Sequence, residues 1–69
     1  MSHNLNTLLE AKRQIESMIS KLTKSLESLE SKANQTRYKS QITLSKHRID
    51  ALKVALELMD IEIDRVNLL

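Results

Sequence analysis

The sequence predicts an all-α fold, an antiparallel two-helix hairpin of the coiled-coil kind. Three observations lead there. The 69 residues contain no Gly, Pro or Cys, so tight hairpin turns between strands lack their usual residues and nothing interrupts a helix. The chain is 41% hydrophobic and 29% charged, the balance of an amphipathic helical protein. Its apolar residues recur at heptad spacing in two separate runs.

The first run comprises Leu5, Leu8, Lys12, Ile15, Ile19, Leu22, Leu26, Leu29 and Ala33, with Lys12 its one polar member. Alternating steps of three and four place these residues along one stripe of a helix expected over about 4–33. The second run comprises Tyr38, Ile42, Ser45, Ile49, Leu52, Leu56, Met59, Ile63 and Val66. It implies a second helix over about 37–67, with Ser45 as the polar exception. The two stripes differ in phase by two residues, about 200° round a helix axis, so one straight helix cannot carry both. A turn at about 34–37 resolves the conflict: Asn34 suits a C-cap of the first helix, and Thr36 can N-cap the second. Folding back there pairs residues whose numbers sum to 71, for example Leu29 with Ile42, Ile15 with Leu56 and Lys12 with Met59. All nine layers match. Lys12 is expected to direct its ammonium outward past Met59, and Ser45 opposite Leu26 to help set register. The whole chain, 1–69, forms one domain.

Several function classes are excluded by composition. Without Cys there is no disulfide framework, zinc knuckle or thiol nucleophile, and without Gly no phosphate-cradling loop. His3 and His47 stand far apart with no companion at ligand spacing, so neither a metal nor another cofactor is expected. Asp60, Glu62 and Asp64 are spaced by two and diverge on a helix, and no Ser-His-Asp arrangement emerges. The expectation is a protein that is not an enzyme and has no small-molecule substrate. The start, Met-Ser-His-Asn-Leu-Asn, has no basic-then-apolar leader pattern, and the longest apolar run is three residues, 54–56. A cytoplasmic protein without membrane insertion is therefore expected.

The second helix carries a further stripe on roughly the face opposite its seam: His47, Ala51, Val54, Leu58, Ile61, Arg65 and Leu68. A helix that is apolar nearly all round is normally buried on more than one side. Leu9, Ala11 and Met18 widen the first helix's seam. The candidate partner-binding residues are thus Leu9, Met18, Ala51, Val54, Leu58, Ile61 and Leu68. Charge is polarised as well: residues 31–49 hold Lys32, Arg37, Lys39, Lys46 and Arg48 with no acid, whereas 54–69 hold Glu57, Asp60, Glu62 and Asp64 against Arg65. Binding of nucleic acid by the basic stretch ranks behind protein binding, because its charges spread round the helix and Tyr38, the only aromatic, belongs to the seam. An amphipathic membrane-surface helix would want cations beside the apolar face, and here that face is acidic.

The size, the heptad plan, the tyrosine just after the turn (Thr36-Arg37-Tyr38-Lys39) and the later Ala51-Leu52-x-x-Ala55-Leu56 run resemble the small co-chaperones of type III secretion needle proteins, the YscE/PscE family. The stretch between the tyrosine and the Ala-Leu run is longer than in that family. The resemblance implies a bacterial, cytoplasmic virulence chaperone that pairs with a larger tetratricopeptide-like chaperone. Together the two hold a needle subunit unpolymerised, with the second stripe facing the larger partner. The alternative is a homo-oligomeric scaffold or adaptor in which two hairpins form a four-helix bundle through the same stripe.

Overall fold

A computed structural model of the chain describes residues 3–31 and 35–68, with Gln35 through its backbone alone. These residues form helix α1, Leu5–Glu30, a 3₁₀ turn, Gln35–Tyr38, and helix α2, Lys39–Asn67. The two helices pack lengthwise against each other, which is the expected all-α hairpin.

Each helix end has an identifiable cause. The Asn4 side-chain oxygen accepts the Thr7 backbone N–H at 2.8 Å, satisfying one of the donors a helix start leaves orphaned. Along α1, Glu10 accepts from Arg13 and Gln14 at 2.6 and 3.0 Å, and the Thr23 hydroxyl donates back to the Ile19 carbonyl at 2.8 Å. The helix closes at Ser31, whose backbone N–H reaches the Glu27 carbonyl at 3.0 Å and whose hydroxyl donates to the Ser28 carbonyl at 2.9 Å. It stops short of the expected residue 33; Ala33 and Asn34 lie outside the described residues. Helix α2 begins later than expected, after the 3₁₀ turn. Its N-cap is Tyr38, which makes no side-chain capping bond. The proposed capping role of Thr36 is therefore corrected: Thr36 sits inside the 3₁₀ turn, where its hydroxyl is too far upstream to serve the first turn of α2. Arg65 in the last turn of α2 complements the negative end of the helix dipole.

Every described member of both heptad runs is buried or half-buried, including the polar Ser45. The deepest are Leu8, Ile49 and Ile63, at 6%, 7% and 7% exposure. Two ion pairs join the helices, one toward each end. The Lys12 ammonium lies 2.8 Å from an Asp60 carboxylate oxygen, and Lys46 lies 3.8 Å from Glu30. Lys12 thus reaches sideways from the seam to the residue next to Met59, its expected opposite number. The hydrogen bond to Asp60, and the carboxylate's charge, raise the Lys12 pKa above its ordinary value.

Thinness is the consequence of stacking only two helices. The molecule measures 52 × 16 × 14 Å, with a radius of gyration of 15.6 Å, against about 11 Å for a compact domain of this length. Its accessible surface is 5465 Å², where a compact monomer of 8.0 kDa exposes about 4,450 Å². Roughly 1,000 Å² of surface thus stays exposed that a globular chain would bury.

Candidate functional site: the outer face of α2

The seam of α2 and its second stripe lie about 160° apart round the helix, so the stripe occupies the side of α2 turned away from α1. Ala51, Val54, Leu58, Ile61 and Leu68 are all exposed. Val54, Leu58 and Ile61, in the middle of the stripe, stand at 56%, 62% and 61% exposure. The stripe also extends one step further toward the turn than the spacing from His47 suggests. Leu44, three residues before His47, is an exposed large hydrophobic side chain as well. Counting the heptad backward from His47 would have found it.

The two α1 candidates are placed differently. Leu9 and Met18 are both exposed, yet nine residues apart on a helix is about 180° round the axis. They therefore flank the α1 seam on opposite sides and do not join into one patch, whereas the α2 residues form a continuous line. Ala11, on the same flank as Met18, is half-buried.

The stripe's one charged member is held by a neighbour. Arg65 donates through Nε to Glu62 Oε2 at 2.9 Å and through a second guanidinium nitrogen to Glu62 Oε1. This fork holds the Glu62 carboxyl below the usual carboxylate range and raises Arg65 further. Arg65 thus meets the apolar line as half of an ion pair.

At the turn end, the acid-free stretch of sequence acquires an acid from α1. Glu30 and Lys46, together with Thr36, Lys39, Ile42 and Thr43, line a groove of 420 Å³. The Arg37 guanidinium carbon sits 5.8 Å from the Tyr38 ring centroid, a cation resting on an aromatic face. Tyr38 is half-buried in the seam. Basic residues here are thus partly engaged within the hairpin, which weakens the case for a phosphate-binding patch. A second groove of 280 Å³ runs beside the seam along Thr23, Leu26, Lys46, Ile49, Asp50 and Lys53.

Among the described residues, no three His, Asp or Glu side chains gather as metal ligands, and no helix is long and apolar enough to cross a membrane. No family model, curated protein or solved structure matches the chain.

Proposed function

We infer that this chain is a non-catalytic protein-binding module whose outer α2 face docks into an apolar surface of another protein. One observation carries the reading: a continuous exposed line of Val54, Leu58 and Ile61 lies on a hairpin whose own core, among the described residues, buries only Leu8, Ile49 and Ile63. Contiguous exposed apolar patches often mark sites of protein–protein contact, and an amphipathic helix laid into a groove is a recurrent mode of recognition. The residues at the centre of the line dominate such a contact, because they are the ones most completely desolvated. Leu9 and Met18, on separate flanks of α1, lie off this face.

The co-chaperone reading gives this face a concrete role. In a bacterial cytoplasm the hairpin would complete the fold of a larger tetratricopeptide-like chaperone, and the pair would keep a needle subunit from polymerising. The resemblance in size, heptad plan and tyrosine position supports this role, and the spare face of α2 supplies the surface it requires. The test is capture from the native host with the wild-type chain and with Leu58→Asp as baits, the bound proteins being identified by mass spectrometry. A larger helical-repeat protein retained by the wild type and lost with Leu58→Asp, while circular dichroism shows the variant still helical, supports the reading. Equal capture by both baits contradicts it.

A further inference from the structure

We propose that the outer face of α2 is self-complementary, and that in the absence of another partner two copies of this chain cover it for one another in antiparallel orientation. The proposal rests on the reading of this face as a docking surface. It adds what occupies the face when no other protein does.

Four features of the molecule point to a second copy. The first is register. Running α2 antiparallel to its twin about residue 56 sets Leu44 against Leu68, Ala51 against Ile61 and Val54 against Leu58. The two polar members, His47 and Arg65, then fall opposite each other. An imidazole nitrogen can accept from a guanidinium N–H, so each polar residue meets a polar residue. Sliding by one heptad in either direction places Arg65 against Val54 or His47 against Leu58, burying a polar group in an apolar layer at a cost. The sequence therefore selects one antiparallel alignment.

The second feature is charge. The charged residues that flank the stripe are Arg48, Asp50, Glu57, Glu62 and Asp64, whereas Lys39, Lys46, Lys53 and Asp60 lie toward α1, where Lys46 and Asp60 pair with Glu30 and Lys12. Parallel pairing would set Glu57 of each copy beside Glu62 of the other and leave Arg48 with no acid across the interface. In antiparallel pairing, Arg48 of each copy flanks Glu62 of the other. Along the other edge Asp50 nears Asp64, and Glu57 meets its own counterpart at the dyad. That repulsive edge keeps the association weak, as suits a face that must be given up to a partner.

Area is the third. The elongated hairpin as a whole, both helices together, exposes roughly 1,000 Å² more than a compact chain of its mass, which leaves room for the ~800 Å² that each side of a standard interface buries. Position is the fourth. The stripe faces away from α1, so the assembly is a row of four helices, α1 and α2 of one copy followed by α2 and α1 of the next, and not the closed four-helix bundle that the spacing alone suggested.

Sedimentation equilibrium of the purified chain, from micromolar to millimolar loading, should show reversible growth from 8.0 kDa to twice that mass and no further. Leu58→Asp should weaken the association by roughly a hundredfold, about tenfold for each of the two copies, each factor of ten being about 1.4 kcal/mol. Glu57→Gln, which removes the dyad repulsion, should strengthen it. Orientation is read from cysteines introduced into a chain that has none. Glu57→Cys should form a disulfide with its own kind. Arg48→Cys should not, because its two copies lie about 24 Å apart along the axis, yet it should cross-link when mixed with Glu62→Cys. A chain that stays monomeric at every loading overturns the proposal, and so does ready self-linking of Arg48→Cys. Either result leaves the docking reading standing if Leu58→Asp still loses its captured partner. Equal capture by Leu58→Asp would sink the docking reading separately.

Discussion

Truncating Ile49 to alanine probes the seam where it is deepest. Ile49 is 7% exposed, so the wild-type side chain has left water almost completely. The substitution removes three carbons, which at about 0.8 kcal/mol each amounts to roughly 2.4 kcal/mol. Sealed cores add a further cost for the cavity left behind. Here the groove past Leu26, Asp50 and Lys53 opens beside Ile49, so water and neighbouring side chains can enter the space and the cavity cost stays small. The expected loss is therefore about 2.4 kcal/mol, near the floor of the roughly 2–5 kcal/mol seen for such truncations. A chain of this length has only about 3–10 kcal/mol to lose. Leu58→Ala, on the exposed face, should cost under about 1 kcal/mol by the same scaling. Urea denaturation followed by circular dichroism at high dilution, where self-association is absent, measures both. Equal losses at the two sites, or a loss below about 0.5 kcal/mol for Ile49→Ala, would refute the assignment of the seam.

Other perturbations test separate parts of the structure. Asn4→Ala removes the bond to the Thr7 N–H and should cost about 1 kcal/mol, read as a lower urea midpoint. Lys12→Leu exchanges an ion pair with Asp60 for a seam leucine opposite Met59, and a thermal scan should show a higher melting midpoint, since exposed pairs contribute little. Stability should also form a plateau in pH. Glu10 and Glu62 are lowered by hydrogen bonds from Arg13 and Arg65, so their contribution is present above the unfolded value of about 4.3 and is lost as pH falls through the folded one. Lys12 is raised by Asp60, so its contribution is complete below about 10.4 and is lost as pH rises further. Melting midpoints falling at both extremes, and Lys12→Leu abolishing the alkaline fall, are the expected outcome.

Periodicity is what made the hairpin legible in the sequence. A residue's place on a helix is fixed by its number, so both seams and the spare stripe could be read before any coordinates, and the exposure of Val54, Leu58 and Ile61 matches the face they were assigned. The turn was harder, because with no Gly or Pro the local signals are weak and spread over several residues. A 3₁₀ segment at Gln35–Tyr38 displaced both Thr36 and the start of α2. The Lys12–Asp60 and Lys46–Glu30 pairs were missed for a different reason. They depend on how flanking side chains lean across the seam, which layer pairing alone does not resolve. Leu9 and Met18 lie toward the same end of the hairpin, but their angular positions on α1 set them apart.

The docking role of the outer α2 face is tested most directly by methyl-resolved NMR of the labelled chain as the face becomes occupied, by a captured partner or by rising concentration of the chain itself. The methyls of Val54, Leu58 and Ile61 should shift and broaden together, while those of the buried Leu8, Ile49 and Ile63 hold their positions. Perturbations centred on the turn or on one flank of α1, with the three outer methyls unmoved, would contradict the account.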